Sequence, residues 1–435
     1  MATPIDPRTH LRRVCTSVFA VILAVFGVLA ALRIAKGKTG DFQYVFESAT
    51  AVTVKQNIYH YGQGINPYPP LTAAWVSLLV PLGERAAAAV WLPMNLAMLS
   101  AALWLGAKEV LRRLGIKADG STVSLVAVLS LVMVSEQAMG TIRRGNKDVF
   151  LLLPIVLGLR WIDRRALLAG ALLAVGASVK YLTIIFLPYF IVRGRFKAAV
   201  GFVLGWLACF FGPALIMGWD YNLRMQAAAY GGVARMLGVQ VNDGEVANAA
   251  PPDLEITGAS ALQAIRRLAE SMGWSKPVMY AAVGLVALVC LTTVWRLFVG
   301  AGEKLFAGRF GRAESDPARE KLVLLDWVGV TTAMLAFSLH LETRHTVLLA
   351  PVYATAIALL VVKGGVPRAP LLVMTILSFL AYRLPPGDLT PELMQRWRFI
   401  GGSSWVLLVF LMVLVWTALR FKHAATPASI NSAAS

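Results

Sequence analysis

The sequence predicts an all-α polytopic membrane protein of about twelve transmembrane helices, with both termini in the cytoplasm. Three observations lead there. Of 435 residues, 58% are hydrophobic and only 15% charged, against roughly 25% charged in soluble domains, and mean hydropathy is +0.67. Apolar runs recur along the whole chain, several of them near the length of about 20 residues that crosses a bilayer. Lysine and arginine fall in short loops between those runs, as orientation by the positive-inside rule requires.

The same placement accounts for the charge. Forty-one Lys and Arg against 23 Asp and Glu give a net +18. In a soluble chain that balance would point to nucleic acid. Here it points to membrane lipids, and no nucleic-acid partner is expected. Cys15, Cys209 and Cys290 each lie in an apolar segment, with no CxxC or Cys/His cluster. That excludes a disulfide framework and a structural zinc site.

Taken in order, Val14–Ile34 is the first span, and Arg8, Arg12 and Arg13 place its start in the cytoplasm. It is too long for a secretory signal and lacks a small-residue cleavage site, so a retained signal anchor is expected. Residues 35–71 then form an extracytoplasmic loop. Pro70–Gly83 is apolar but short. If it crossed, Lys108, Arg112, Arg113 and Lys117, beyond the span Ala86–Ala107, would lie outside. That basic cluster keeps Pro70–Gly83 at the outer surface. Ser121–Val134 leads out to an external loop, Ser135–Lys147, and Val149–Ile162 returns to Asp163, Arg164 and Arg165. Ala166–Val179 and Tyr181–Val192 are short. As one helix they would hold Lys180 near the bilayer centre, at a cost of about 2.5–3.5 kcal/mol on insertion scales, so a broken pair is expected.

Ala198–Met217 leads to the long acidic stretch 218–276, and Val278–Val299 returns to a basic loop. Leu322–Leu339, Thr346–Val362, Ala369–Leu384 and Phe399–Leu419 complete the set, with Arg420, Lys422 and His423 inside. Residues 1–423 read as a single membrane-embedded domain and the Ala/Ser-rich 424–435 as a disordered cytoplasmic tail. No internal repeat is visible.

Function concentrates in Gly40–Leu71, the one polar segment near the start long enough to build a site. It carries Asp41, Tyr44, Glu47, Tyr59, His60, Tyr61 and Tyr68, then Pro69 and Pro70. A carboxylate just past a membrane helix, followed by aromatics, suits a lipid-linked polar substrate. Asp41 reads either as a solvated helix cap or as a general base taking a proton from an acceptor hydroxyl. Glu47 falls six residues on, off the stacking positions of a helix, and reads as structural.

Arg143, Arg144, Lys147, Lys180, Arg344 and Arg383 sit at outer helix ends, against the orientation rule. Snorkelling to headgroups would account for any one of them. A bound anion would account for the set, since Lys and Arg are the usual phosphate ligands. His340 and His345 are five apart and diverge on a helix, which argues against a metal. Arg344 and His345 instead suit a phosphate leaving group, or else are interfacial polar residues. Neither metal nor cofactor is expected. No phosphate-binding loop or dinucleotide motif appears, so an outer-face enzyme would need a substrate already energised and across the membrane. A polyprenyl-phosphate-linked sugar meets that need.

Several stretches resemble the integral-membrane GT-C glycosyltransferases, and within them glycosyltransferase family 87. They are Asp41-Phe42-Gln43-Tyr44 after the first span, Asn57-Ile58-Tyr59 leading to Tyr68-Pro69-Pro70, and Trp91-Leu92-Pro93-Met94-Asn95. Gly145-Asn146-Lys147-Asp148, Ala177-Ser178-Val179-Lys180 and the His-bearing stretch from His340 to Pro351 continue the pattern. The resemblance covers roughly residues 10–355. It implies a GT-C-like fold in a bacterial inner (plasma) membrane, with the active site on the extracytoplasmic face. It further implies a hexosyltransferase, most simply a mannosyltransferase, using a polyprenyl-phosphate sugar and a lipid or glycan acceptor. By that resemblance Asp41 is the catalytic base. Lys180, Arg144, Lys147, His345 and Arg344 would face the donor phosphate, and Tyr44, Tyr59, His60 and Tyr68 the substrate. Two rivals share the topology. A transporter or lipid flippase would place its charges at the midplane and show repeats, whereas an outer-face glycan polymerase or ligase would use a longer lipid-linked donor.

Overall fold

The computed structural model describes residues 6–63, 68–236, 239–241, 260–303, 317–338, 341–361, 367–383 and 391–421. His340, the tail 424–435 and much of the acidic stretch 218–276 lie outside the described residues. Among the described residues the chain is helical, with no strand.

The first long helix is α1 (Pro7–Ala35), capped by Asp6, whose side chain accepts from the Arg8 N–H. The expected loop 35–71 contains a helix, α2 (Phe42–Thr53). Next come α3 (Leu71–Val76) with a 3-10 turn through Leu82, α4 (Glu84–Arg113) and α5 (Gly120–Met133). The expected external loop Ser135–Lys147 is mostly a helix as well. This helix, α6 (Ser135–Arg144), bends 71° away from α5. Its Gln137, Ala138, Thr141 and Ile142 are buried, a helical stripe that its polar composition hides.

Then follow α7 (Val149–Trp161), α8 (Ala166–Val179), α9 (Phe186–Val192) and α10 (Phe196–Phe211). The rest is α11 (Ala214–Met217), α12 (Trp219–Met236), α13 (Ala261–Ser271), α14 (Lys276–Gly300), α15 (Pro317–Ala336), α16 (Ala350–Val361), α17 (Arg368–Ala381), α18 (Pro391–Phe399) and α19 (Gly402–Arg420).

All twelve expected spans are helical where described, but among the described residues only six helices are long and apolar enough to cross a membrane, or seven if the bent pair α5–α6 counts as one. For α7, α8, Tyr181–Val192 and α17 the shortfall is one of length. A helix rises about 1.5 Å per residue, so the 14 residues of α8 fall short of the roughly 30 Å hydrocarbon core. The expected break at Lys180 is present. Its backbone is extended, with φ −160° and ψ 118°, between α8 and a 3-10 turn, Tyr181–Ile185.

Helices α8 and α10 cross in backbone contact. A Cβ on Gly170 would fall 1.9 Å from the Ala198 carbonyl oxygen, and one on Gly201 2.0 Å from that of Leu167. Such small-residue crossings let helices pack where lipid offers no hydrophobic drive. Trp91 of α4 ties another group of elements together. Its ring stacks on Trp75 and Phe150 and lies 5.2 Å from that of Phe42, so α2, α3 and α7 are fixed on α4.

The two ends of the molecule are chemically distinct. Near the start of α4, Glu84 accepts a hydrogen bond from Thr39, two residues before Asp41. At the far end of α4, about 45 Å away by helix rise, Arg113 is fully buried. It reaches Glu109 at 2.9 Å, Glu320 at 2.6 Å and Asp163 at 2.8 Å, and Asp163 also takes Arg195 at 2.9 Å. Arg193 pairs with Asp326 of α15. These arginines therefore clamp four helical segments together and are not simply loop charges.

Candidate active site

The candidate site is assembled from segments far apart in sequence. Two glycines bring the first two together. Gly40 and Gly145 both have φ +66°, a left-handed backbone that glycine adopts without penalty. A Cβ on Gly40 would fall 2.8 Å from the Arg144 Cα, and one on Gly145 2.8 Å from the Phe42 Cβ. The Gly145 carbonyl accepts from the Trp91 indole at 3.0 Å. With the backbones this close, Asn146 Nδ2 donates to Asp41 Oδ2 at 2.9 Å.

Asp41 occupies the N-cap position of α2, yet its side chain makes no capping hydrogen bond. Its carboxylate is taken up by partners outside that helix. Besides Asn146, it meets Arg344 Nη1 at 2.6 Å. The two side chains are each 20% exposed, so the pair sits at a rim rather than in the core. Of the two readings of Asp41, the helix cap fails on geometry.

Behind that rim lies a buried cluster. Asp148 is fully buried, and its Oδ1 accepts from Lys180 Nζ at 2.6 Å. His345 Nε2 lies 2.7 Å from the same ammonium. A carboxylate so near keeps Lys180 charged and donating to it. The Glu342 backbone N–H donates to His345 Nδ1 at 3.2 Å.

The Tyr68 ring covers both lysines, with Lys147 Nζ 4.3 Å and Lys180 Nζ 5.7 Å from its centroid. Tyr59, fully buried, donates from its hydroxyl to the Tyr68 carbonyl at 3.1 Å. It props that ring rather than contacting the cations. Burial first, then the charge of Lys180, brings the Lys147 amine from 10.5 down to about 7, with Asp148 and Asp41 opposing. Burial likewise raises the Tyr68 phenol above its usual range. Asn146 Oδ1, Asp148 Oδ2 and Arg344 Nε are buried with no hydrogen-bond partner among the described residues. Such atoms leave polar capacity for a ligand.

The structure brings Asp41, Lys147, Lys180, Arg344, His345 and Tyr68 together, with Tyr59 as a prop. Arg144 is exposed at the end of α6, Tyr44 is half-buried on α2, and His60 is exposed. Glu47 is structural as expected, accepting from Gln43 Nε2 at 2.9 Å and from the Gln63 N–H at 3.0 Å. Arg383 is engaged elsewhere, 3.3 Å from Glu136. Sequence reasoning passed over Asp148 and Asn146 as members of the site. An acid within the run Asn146-Lys147-Asp148, facing a lysine that breaks an apolar run, was the available signal. Among the described residues no group of three or more His, Cys, Asp or Glu converges as a metal site.

These features define a helical membrane protein with a cation-lined site set beside a carboxylate. Residues 66–313 match the model of glycosyltransferase family 87. The match takes in more than half of the chain, and the protein belongs to that family and is a glycosyltransferase. It includes Lys147, Asp148 and Lys180, whereas Asp41, Arg344 and His345 lie outside it. No curated protein and no solved structure matches the chain.

Proposed function

We propose that this glycosyltransferase moves a hexose, with mannose the expected sugar, from a polyprenyl-phosphate donor to a lipid or glycan acceptor. The reaction would take place at the extracytoplasmic face of a bacterial inner membrane, in a GT-C-like fold whose short helices complete the expected twelve spans. One observation carries the reading. Lys147 and Lys180 lie over the Tyr68 ring, His345 touches Lys180, and the Asp41 carboxylate is tied in through Asn146, the neighbour of Lys147.

In the proposed step, Asp41 takes the proton from an acceptor hydroxyl. The acceptor oxygen attacks the anomeric carbon as its bond to the phosphate oxygen breaks. The electron pair leaves with the polyprenyl phosphate, and in-line displacement inverts the anomeric centre. Lys180, Lys147 and His345 stabilise the charge gathering on the phosphate, which is where preorganised cations contribute most. Asp148 holds Lys180 in place, and Tyr68 shields both ammoniums from water. No residue role in this scheme calls for a metal.

The test is transfer of radiolabelled mannose from polyprenyl-phosphate mannose into a membrane lipid extract, comparing wild type with Asp41→Asn. Label incorporated by wild type and lost in a folded variant supports the reading. Equal incorporation by both removes Asp41 as the base. Failure of wild type with mannosyl and with other hexosyl polyprenyl phosphates would reject the donor class.

A further inference from the structure

Arg344 stands between the carboxylate that takes the proton and the pocket that takes the phosphate. Its Nη1 is 2.6 Å from Asp41 Oδ2, and its Nη2 pairs with Glu342. Its Nε is a buried donor with no hydrogen-bond partner among the described residues. The next residue, His345, touches Lys180 at 2.7 Å, and consecutive Cα atoms are about 3.8 Å apart. Asp41 is tied to the same pocket through Asn146, the neighbour of Lys147. Asp41 Oδ2 is thus occupied by two donors, Asn146 and Arg344, and is not open to an acceptor hydroxyl while both are in place. The arrangement of the free protein therefore opposes the chemistry expected of it.

We propose that Arg344 is a donor-operated latch, closed on Asp41 in the free enzyme and transferred to the phosphate of the lipid-linked donor when it binds. The inference rests on the reading of the site as a polyprenyl-phosphate pocket. A guanidinium prefers a phosphate that it can grip by two parallel N–H bonds, and the pocket brings that anion beside it. Moving the cation strengthens binding of the leaving group and, in the same motion, frees Asp41. Asn146 stays behind to orient the released carboxylate. The base is then active only when a donor is present, which protects the site from idle proton exchange. Arg344 is thus a positioning residue for Asp41 and a ligand for the phosphate, in alternation.

Competition for one guanidinium has a thermodynamic signature. Apparent affinity is reduced by the fraction of protein in the competent state. If the latch is closed in about nine molecules in ten, releasing it tightens phosphate binding about tenfold. Removing the negative charge of Asp41 would favour an anion in any case, so the single variant does not decide the matter. A double-mutant cycle does.

The dissociation constant of a polyprenyl monophosphate, used as the probe, is measured in detergent for four folded proteins: wild type, Asp41→Asn, Arg344→Gln and the double variant. The expected result is that Asp41→Asn binds about tenfold tighter than wild type and that the same substitution tightens binding clearly less once Arg344 is gone. Equal tightening with and without Arg344, or no tightening, overturns the latch while leaving the phosphate pocket standing. If none of the four binds the probe, the reading of the pocket fails and the latch with it. Should Arg344→Gln not fold, Arg344→Met reads the same coupling, because an uncharged chain of similar length cannot pair with Asp41.

Discussion

The ammonium of Lys180 lies 2.6 Å from the carboxylate of Asp148, and neither side chain is more than 5% exposed. Removing one partner of such a pair leaves a buried charge uncompensated, which costs about 3–5 kcal/mol. Lys180→Met and Asp148→Asn are each expected to lower the thermal unfolding midpoint in detergent. The double variant should recover much of that stability and none of the transfer activity. Recovery of both would make the pair purely structural.

Lys147 gives a pH signature. Its folded-state amine sits at about 7 instead of 10.5, so between those values the unfolded chain holds a proton that the folded chain lacks. Stability therefore rises with pH across that window, and the full penalty is present below about 7. Wild type should gain on Lys147→Met in thermal midpoint as pH rises from 7 towards 10. Donor binding should run the other way. A phosphodiester keeps its charge throughout, so its affinity should fall as Lys147 loses its proton, with the dependence flattened in Lys147→Met.

Gly145 is expected to tolerate no side chain. The left-handed backbone costs a non-glycine residue about 1–2 kcal/mol, and the new Cβ meets Phe42. Gly145→Ala should separate Asn146 from Asp41. A misplacement of about 1 Å costs on the order of 10²-fold in rate, and transfer rate is the measurement. A variant of near-native rate would show that the two backbones can part without moving the carboxylate.

Arg113 makes ion pairs with three carboxylates while fully buried. Arg113→Ala should cost about 3–5 kcal/mol and show as loss of monodisperse protein or a large drop in unfolding temperature. Arg113→Lys should rescue little, because one ammonium cannot span Glu109, Asp163 and Glu320 in the way the planar fork does.

Much of this was legible in the sequence, for reasons that differ from residue to residue. The break at Lys180 follows from the insertion cost of one charge. The position of Asp41 follows from where the first span ends. Its engagement with Arg344 does not, because a contact across some 300 positions leaves no local trace. Helix α6 escaped because the run Ser135–Arg144 has the composition of a loop, while its buried stripe emerges only once a neighbour covers it. The count of twelve spans takes every apolar run but Pro70–Gly83 as a crossing, although several of the helices they form are too short to cross alone. Asp148 stayed hidden because an acid beside a lysine reads as solvated until both are seen to be buried.

The separation of the site's parts along the chain bears on how the protein is made. Asp148 precedes Lys180 by 32 residues, whereas His345 follows it by 165. During synthesis the lysine therefore enters the membrane with its counter-ion already in place, and the imidazole arrives much later. Insertion of the first half can proceed without a stranded charge, but Arg344 and His345 join only near the end. A ribosome-bound chain would hold the candidate site in outline and remain without Arg344 and His345 until its last third is threaded.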